Sequence, residues 1–515
     1  MLHLDRTHDP RKNADLLAQI TQNRLPIKKK ILKTEQLFKQ AYQKPIPVVP
    51  TKLPKQPRSY SEKMMEGFFR LLSKPSTLLN PSKVMVDEKE VVFPDWKEKL
   101  DREFDQLLNY ITREVNIMDF GAVGDGKTDC TAAFQKAMGN GRVKVIVPEG
   151  VFITKGIRLP SWTYLKGAGK GVTTLKLHHQ APKSTRLVTN SNHWKGNHHL
   201  FVGALSLDWH IERLGNTTKT STGGNHSSCL TYANVTYGWV IDVEGINPGL
   251  HCFDISSCLY NYAGDGYRAR GGSKYVWLDQ LNGYGFGDDG ITTHHSDYIF
   301  ISHSHMCDPS GRSHKKGFSN SNGIEVDDGS RNVLLVHNST ARCFGGVEIK
   351  AHQNSSAASN VQIVGHISVN DNRSYNFRHI GHHKGSDAQS KTAFNILACD
   401  LVSIEPIFSD LYKESTPRSL VVSGYQNVVI HHFWSIGDPD YDFKNNPVIA
   451  IQYRARNIVL NQLSFKSFNR AGAAIKVFGG ENRADIIKIQ NVIADDSFSK
   501  VFEIGSDITE IIIEK

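Results

Sequence analysis

The distribution of apolar and polar residues changes at about residue 115. From there to Ile513, short apolar and often β-branched runs alternate with clusters of Gly, Asn, Asp and Ser. Residues 131–138 carry the one convincing helical pattern in this stretch. Short strands separated by turn residues at fairly regular intervals are typical of an all-β repeat fold.

The repeat can be read directly from four segments in which Gly opens a short strand. These segments are Gly266–Arg270, Gly290–His294, Gly323–Asp327 and Gly346–Lys350. Their first residues are 24, 33 and 23 positions apart, and each of the last three is followed by a second apolar strand. Coils of about two dozen residues bury apolar side chains only by stacking on their neighbours. The pattern therefore predicts a parallel β-helix over 115–515.

Strand alternation assigns an inner and an outer side to each segment, because successive side chains point to opposite faces. The first and third positions after each Gly are mostly apolar and are predicted to fill the interior: Tyr267 and Ala269, Ile291 and Thr293, Ile324 and Val326, Val347 and Ile349. The second and fourth positions then form two outward rows: Arg268–Thr292–Glu325–Glu348 and Arg270–His294–Asp327–Lys350.

Glu325 and Glu348 are predicted to be neighbours on adjacent coils, which lie about 4.8 Å apart. Two carboxylates this close do not both ionise freely, so the pKa of one should rise. A carboxyl with a raised pKa beside an ordinary one is the pair that glycoside hydrolysis needs. The alternative interpretation is a solvated ladder in which Asp327 and Lys350 merely balance the charge.

Further polar residues lie at the ends of the same strands. The turn Gly287–Gly290 supplies Asp288 and Asp289, and Asp327-Asp328-Gly329 follows one coil later. Three histidines, His294, His295 and His352, are predicted at the same edge. Any one of these residues alone could be a turn cap or a packed side chain. The Asp-rich turns could also hold calcium, although no recognised calcium-loop spacing is present.

Residues 1–114 have a different composition, rich in Lys, Gln, Leu and Pro. Two short helices are predicted at Asn13–Gln22 and Lys33–Tyr42, and an extended segment at Pro45–Pro57. One helical face is predicted within Phe93–Val115, formed by Trp96, Leu100, Phe104, Leu107, Leu108 and Ile111. The region is either an adaptor that attaches to a virion or pre-forms a trimer, or a flexible basic tail with one packed helix.

The net charge of +10 is consistent with a polyanionic partner, either nucleic acid or an anionic wall polymer. Nucleic acid is disfavoured because no zinc-finger spacing or RNA-binding aromatic signature accompanies the charge. The seven cysteines are odd in number and show no metal-binding spacing, so reduced and buried thiols are expected. The N-terminus lacks an apolar signal region and no apolar run is long enough for a membrane span.

One stretch of sequence resembles the entry motif of the pectate-lyase-like β-helix superfamily, which many phage tail spikes and pre-neck appendage proteins share. The matching segments are Asp119–Asp129, Thr131–Met138, Val145–Phe152, Ile157–Ser161 and Leu165–Gly169. The resemblance implies an all-β fold, a right-handed single-stranded parallel β-helix, preceded by a small, partly helical N-terminal region. In that family the motif caps the solenoid, which places the cap and first coils here at 115–170.

A second resemblance concerns chemistry. The run Gly287–Gly290 resembles the Gly-Asp-Asp element of polygalacturonase-type hydrolases, whose aspartates are catalytic. The run Gly346–Lys350 is similar to their Arg-Ile-Lys element, but Glu348 stands where Arg is expected, and a Gly-His-Gly element has no counterpart. The combination also resembles Gram-positive phage and prophage appendage proteins that act on wall teichoic acid or capsule. That implies a homotrimer, located on a virion after assembly in the host cytoplasm.

The leading hypothesis is a phage depolymerase that binds and hydrolyses a cell-surface polysaccharide or wall teichoic acid. The candidate catalytic residues are Asp289, Glu325 and Glu348, with Asp288 and Asp327 in reserve. The candidate substrate-binding residues are Arg268, Arg270, His294, His295, Lys350 and His352. Two alternatives stay open: a lyase that uses Arg268, Arg270 and Lys350 in β-elimination, and a receptor-binding spike without catalysis.

Overall fold

The structure is a computed structural model that describes residues 2–22, 25–42, 60–76, 79–260, 264–382 and 390–514. The predicted extended segment Pro45–Pro57 lies outside these ranges. The described α-helices are α1 Asn13–Thr21, α2 Ile27–Ala41, α3 Tyr60–Leu71, α4 Lys97–Tyr110 and α5 Thr131–Met138. Short 3₁₀ turns are found at Pro10–Lys12, Ile117–Phe120, Ile211–Leu214, Ile380–His382 and Gly480–Asn482.

Strands dominate the chain from residue 113 onward. The strands of the first half are β1 Ser73–Pro75, β2 Val84–Val86, β3 Val92–Pro94, β4 Arg113–Asn116, β5 Asp125–Asp129, β6 Val143–Ile146, β7 Gly150–Thr154, β8 Ile157–Leu159, β9 Thr163–Lys166, β10 Thr173–Leu177, β11 Val188–Asn190, β12 Asn197–Asp208, β13 Leu230–Ala233, β14 Val235–Ile246 and β15 Phe253–Ser256. Those of the second half are β16 Tyr267–Ala269, β17 Lys274–Asp279, β18 Asn282–Tyr284, β19 Ile291–Thr293, β20 Asp297–Ser302, β21 His305–Cys307, β22 Asn322–Val326, β23 Arg331–Ala341, β24 Gly345–Ala351, β25 Ser359–Val369, β26 Arg373–His379, β27 Phe394–Ile404, β28 Arg418–Ser423, β29 Gln426–Ile436, β30 Pro447–Gln452, β31 Arg456–Lys466, β32 Ala473–Val477, β33 Asp485–Ala494, β34 Phe502–Ile504 and β35 Ile511–Glu514.

Two long parallel sheets form the body of the molecule. Sheet A has the order β8-β11-β13-β15-β19-β22-β24-β26-β28-β30-β32-β34, and sheet B contains the long strands such as β23, β25 and β27. Since the chain passes alternately from one sheet to the other and always advances by one coil, the fold is a parallel β-helix. This confirms the predicted fold class.

The interior of the solenoid contains the apolar rows that the alternation predicts. Ile291 pairs with Ile324 and Ile324 with Val347, while Val326 pairs with Ile349. All five side chains are fully buried in one continuous core. Burying an aliphatic side chain of this size contributes about 1.5–3 kcal/mol, so stacked coils stabilise one another.

A ladder of asparagines marks one corner of the solenoid. The Nδ2 of Asn395 donates to Oδ1 of Asn360 (2.9 Å), Asn427 donates to Asn395 (3.1 Å), and Asn457 donates to Asn427 (2.7 Å). All four residues have a positive φ, between 53° and 66°. Asn adopts this left-handed conformation more readily than other non-glycine residues, so it suits a repeated sharp corner.

The N-terminal region packs along the outside of sheet B. Apolar side chains of α1, α2 and α4, including Leu17, Ile31 and Leu100, are buried against strands of the solenoid. The Lys30 ammonium on α2 lies 2.7 Å from a carboxylate oxygen of Asp400 on β27, and both side chains are buried. Helix α2 therefore docks through both apolar contact and an ion pair.

The predicted helices of this region are largely present. Helix α1 matches the prediction, whereas α2 starts at Ile27, six residues before the predicted Lys33, directly after Pro26. Helix α4 covers the centre of the predicted amphipathic segment, but Trp96 and Ile111 flank the helix, and Leu108 is exposed and does not belong to its buried face. No helix in the described ranges is long and apolar enough to cross a membrane.

The prediction that Gly266–Arg270 forms a coil of the sheet is wrong. Strand β16 pairs antiparallel with β1 of the N-terminal region, and Tyr267 and Ala269 do not join the solenoid core. Its expected place in sheet A belongs to β15, where Phe253 pairs with Ile291. Strand β15 has two large apolar side chains, Phe253 and Ile255, that fill the interior. Strand β16 has only Tyr267 and Ala269 at the corresponding positions, which suit the core less well.

Candidate active site

The outer side of sheet A carries a row of polar residues in its central coils. In register order these are Thr231, Asp254, Thr292, Glu325, Glu348 and Asn376. Glu325 and Glu348 are therefore direct neighbours, as the sequence predicts. Arg268 is not a member of this row, because its strand lies outside the sheet.

Each of the two glutamates has its own cation. The Lys350 ammonium forms an ion pair with Glu325, and the Arg378 guanidinium forms one with Glu348. The Nδ2 of Asn376 also donates to Glu348 Oε1 (3.2 Å). Both carboxylates are almost completely buried, so they do not line an open cleft by themselves.

The predicted rise in pKa does not occur at Glu325. Burial would raise the pKa of Glu325, but the charge of Lys350 lowers it below its usual value. The pKa of Asp289 is the one that rises well above the usual range, because of burial and the nearby charges of Asp288 and Glu325. Within this turn, Asp289 is therefore the carboxyl whose surroundings favour the protonated form.

Asn322 connects Asp289 to the glutamate row. Its backbone N–H and its Nδ2 donate to Asp289 Oδ1, at 2.9 and 3.1 Å. The same Nδ2 lies 3.0 Å from Glu325 Oε1. This amide holds two carboxyls of successive coils close together, and a hydrogen bond from Asp289 helps to lower the pKa of Glu325.

Asp288 is the carboxyl nearest to solvent. Its side chain is 18% exposed, and its Oδ1 lies 2.8 Å from Nε2 of His314. Burial alone would raise the pKa of Asp288, but the charges of His314 and His251 lower it below its usual range. In two adjacent residues of one turn, the pKa of Asp288 is thus lowered and that of Asp289 is raised.

His251 lies behind this pair and was not identified from the sequence. Its Nδ1 is 3.0 Å from Asp254 Oδ2, and its Nε2 is 3.6 Å from both Asp288 Oδ2 and Asp289 Oδ2. Burial would lower the pKa of His251, but the carboxylates of Asp254 and Asp288 raise it to about 9. The signal that could have indicated it is the short spacing between His251, just before β15, and Asp254 on β15.

A second polar cluster lies at the opposite ends of the same strands. The Nδ1 of His352 is 2.9 Å from Asp328 Oδ2 and 3.5 Å from Asp327 Oδ2, and His294 Nε2 is 3.4 Å from Asp328 Oδ2. The predicted edge of histidines and aspartates is present for these residues, but the prediction that Asp288 and Asp289 share it is wrong, because they precede β19 and His294 follows it. His295 is also buried there, and its backbone N–H donates to the Asp328 carbonyl (2.7 Å).

Two predicted substrate-binding arginines have structural contacts instead. Arg268 is buried, and its guanidinium nitrogens lie 3.1 and 2.7 Å from the Asp297 carboxylate, which Arg331 also contacts at 2.8 and 2.9 Å. Arg270 donates to the carbonyl of Ser73 (3.4 Å). Lys350 is likewise buried in its ion pair with Glu325.

A basic cavity next to Asp288 was missed in the sequence. It has a volume of about 770 Å³ and its cationic lining residues are Lys219, Arg312, His314, Lys315 and Lys316. His314 belongs to this lining and also contacts Asp288, so it connects the cavity to that carboxyl. The signal in the sequence is the run Arg-Ser-His-Lys-Lys at 312–316 in the connection between β21 and β22.

Several groups of side chains have the donor types for a metal ion. Among the described residues these are His251 with Asp288 and Asp289, His294 with Asp327 and Asp328, and Asp265 with His379 and His382. In each group the donor atoms lie within 4.8 Å of one another.

Comparison with known proteins identifies relatives of the whole solenoid. Residues 114–348 match the family described as "Rhamnogalacturonase A/epimerase, pectate lyase-like". The chain is 49% identical over 415 residues to the phage-related protein YobO of Bacillus subtilis (strain 168), covering 81% of this chain and 51% of that protein. It is 40% identical over 403 residues to the pre-neck appendage protein of Bacillus phage phi29, covering 78% of this chain and 46% of that protein.

A solved structure shows the same similarity in three dimensions. The crystal structure of the bacteriophage phi29 gene product 12 N-terminal fragment superposes with a TM-score of 0.70 at 37% sequence identity. The match covers 81% of this chain and 68% of that fragment. The chain spans about half the length of the curated relatives it matches.

Proposed function

The chain belongs to the pectate-lyase-like β-helix family of phage pre-neck appendage proteins, and we propose that it binds and hydrolyses a polymer of the host cell surface. The polymer would be a wall teichoic acid or an acidic polysaccharide. The reaction would take place at the turn that contains Asp288 and Asp289.

The observation that carries this proposal is that the surroundings of two adjacent carboxyls shift their pKa values in opposite directions. The pKa of Asp288 lies below its usual range because of His314 and His251, although burial opposes the shift. The pKa of Asp289 lies well above its usual range because of burial and the neighbouring charges. Pairs of acids whose surroundings move their pKa values apart are typical of hydrolases that use an acid and a base together.

The roles follow from these states. Asp289 holds the proton that the leaving oxygen needs, and Asp288, which is closest to solvent, activates a water molecule or attacks directly. Glu325 accepts a hydrogen bond from Asp289 and, through Asn322, keeps this acid in place. Glu348 lies beside Glu325 on the next coil, where its contacts with Arg378 and Asn376 hold it in the row of polar residues.

The charge of the adjacent cavity supports an anionic substrate. Lys219, Arg312, Lys315 and Lys316 line it, and His314 connects it to Asp288. Cationic walls concentrate a polyanion and draw it toward the site. These residues take over the anion-binding role that the sequence assigned to Arg268 and Arg270.

The place of the protein on a phage particle is part of the same proposal. Relatives are named as pre-neck appendage proteins, which supports a location on the virion. We further propose that residues 1–114 contribute to that attachment and that the particle carries the protein as a homotrimer.

A second candidate, a receptor-binding spike without catalysis, is favoured by one observation. Asp289, Glu325 and Glu348 are almost fully buried, and both glutamates have cationic partners. Buried and neutralised carboxylates of this kind also occur as purely structural networks. The two candidates differ in whether the polymer is shortened.

The deciding experiment is digestion of purified Bacillus wall teichoic acid and wall polysaccharide, with product sizes measured by mass spectrometry. We expect shortened polymer with the unmodified chain and a loss of rate of at least ~100-fold in Asp288→Asn and Asp289→Asn. Glu244→Gln, which changes a carboxylate of sheet B, is the matched control and should keep full activity. Saturable binding with unchanged polymer length would establish the binding spike, and products with unsaturated-uronate absorption would establish a lyase.

A further inference from the structure

We propose that His294, Asp327, Asp328 and His352 form a binding site for a divalent cation of the zinc or manganese type. The site lies at the ends of β19, β22 and β24 that are remote from Asp288, and it does not depend on the proposed hydrolysis. Its donor atoms are two imidazole nitrogens and two carboxylate oxygens.

The donor atoms of His294, Asp327 and Asp328 all lie within 4.8 Å of one another, and the His352 imidazole contacts both carboxylates. His352 Nδ1 lies 2.9 Å from Asp328 Oδ2 and 3.5 Å from Asp327 Oδ2. His294 Nε2 lies 3.4 Å from Asp328 Oδ2. An ion held at about 2.0–2.2 Å from nitrogen and oxygen ligands in tetrahedral or octahedral geometry places neighbouring ligand atoms roughly 2.9–3.6 Å apart.

The ligands are held in position by contacts outside the cluster. The other carboxylate oxygen of Asp328 accepts from the His352 backbone N–H (2.8 Å) and from the Ser355 hydroxyl. The backbone N–H groups of Asp327 and His294 donate to carbonyls of the preceding coils, at 3.0 and 2.9 Å. Partners that fix the far side of each ligand are characteristic of built metal sites.

Electrostatics also favour an ion at this place. Asp327 and Asp328 are both buried, and the basic groups that contact them are the His352 imidazole, 2.9 Å from Asp328 and 3.5 Å from Asp327, and the Lys350 ammonium, 4.0 Å from Asp327 and paired with Glu325. A divalent cation would allow both carboxylates to ionise together. The His352 side chain is 41% exposed, which provides a route for the ion to enter.

The donor set decides the class of ion. Two imidazoles with two carboxylates suit zinc or manganese, whereas calcium and magnesium prefer oxygen ligands alone. The group of Asp265, His379 and His382 is less suitable, since both Asp265 oxygens accept from residues of the 390–392 segment and His379 Nε2 lies 3.1 Å from the Ser355 carbonyl oxygen.

The test is calorimetric titration of the full chain, stripped of metal by a chelator, with Zn²⁺ and separately with Mn²⁺. We expect one ion per chain at this site and binding weakened at least ~10-fold in His352→Gln and Asp327→Asn. His251→Gln removes a donor of the group formed with Asp288 and Asp289 and should bind the ion as the unmodified chain does. Zn²⁺ should also raise the melting temperature of the unmodified chain but not that of His352→Gln.

Three outcomes would overturn the proposal. The stripped chain could take up neither ion, His352→Gln could bind as tightly as the unmodified chain, or His251→Gln could be the variant that loses the ion. Because the His352 side chain reaches solvent, its replacement tests the site even where Asp327→Asn fails to fold. No polymer is present in the titration, so its result is independent of the digestion experiment.

Discussion

Glu325 and Glu348 lie side by side in the register of adjacent coils, yet each is neutralised by a different cation from a neighbouring strand. Lys350 forms an ion pair with Glu325, and Arg378 forms one with Glu348. Like charges at this spacing would repel strongly in a buried setting. The two ion pairs compensate the negative charges of the row and also connect neighbouring strands of sheet A.

The first prediction concerns the ion pair between Arg378 and Glu348. Arg378→Met leaves the fully buried Glu348 without its cation and should lower the free energy of unfolding by about 3–5 kcal/mol. Denaturant titration followed by circular dichroism measures this loss. Adding Glu348→Gln to the same chain should recover much of it, whereas equal losses in the single and double variants would show that the two residues are not coupled.

The second prediction is a pH dependence that comes from His251. The folded pKa of His251 is about 9, against 6.5 as the ordinary value, because Asp254 and Asp288 outweigh the effect of burial. A raised pKa means that the stabilisation is fully present below pH 6.5 and is lost as the pH rises through 9. The unmodified chain should therefore lose roughly 1–3 kcal/mol of stability across this window.

The measurement is the free energy of unfolding at a series of pH values in the unmodified chain and in His251→Gln. The variant should be less stable at pH 6.5 and should show a flatter curve between pH 6.5 and 9. His366→Gln is the control, since burial lowers the pKa of His366 to about 3 and the residue is neutral throughout this range. A curve for His251→Gln parallel to that of the unmodified chain would refute the assignment.

The third prediction concerns the attachment of helix α2. Lys30→Met removes the partner of the buried Asp400 carboxylate and should destabilise the docked helix by about 3–5 kcal/mol. Hydrogen exchange read by mass spectrometry should show faster exchange in residues 27–41 while the central coils of the solenoid stay protected. Lys29→Met, an exposed neighbour on the same helix, should exchange as the unmodified chain does.

The fourth prediction concerns the cysteines. All seven are free thiols; six are buried and Cys258 is half-buried. Burial also raises the pKa of the Cys258 thiol, which slows its reaction. Ellman's reagent should therefore modify at most one thiol per native chain, slowly, and the remaining six only in denaturant. Rapid reaction of two or more thiols without denaturant would contradict the burial of the core cysteines.

The fold was predictable because its strongest determinant is local. Alternating apolar residues after Gly290, Gly323 and Gly346 identify both the strands and the side that faces the core, and the register of Glu325 with Glu348 follows from them. The same reasoning failed at Gly266, because antiparallel pairing of β16 with β1 joins segments almost two hundred residues apart. Nothing near Gly266 in the sequence encodes that distant partner.

The candidate site was predictable in position but not in detail. Asp288, Asp289 and Glu325 do come together, but which of them keeps its proton depends on Lys350, His251 and His314. The positions of those partners depend on how far each side chain is buried and on a long connection between coils, both tertiary properties. The spacing of residues in the sequence predicts which carboxyls share a face of the sheet. It does not predict which basic side chain forms an ion pair with each of them.

The asparagine ladder runs in one direction, since each amide donates to the coil before it. At Asn360 the Nδ2 turns instead to the carbonyl of Leu79 (3.1 Å), while the Ser82 N–H donates to Asn332 Oδ1 (3.2 Å). Residues 79–82 thus bind between Asn332 and Asn360, where the ladder of side-chain amides stops. Residues 79–82 contact two adjacent windings at once, so their hydrogen bonds tie the N-terminal region to the asparagine corner of the solenoid.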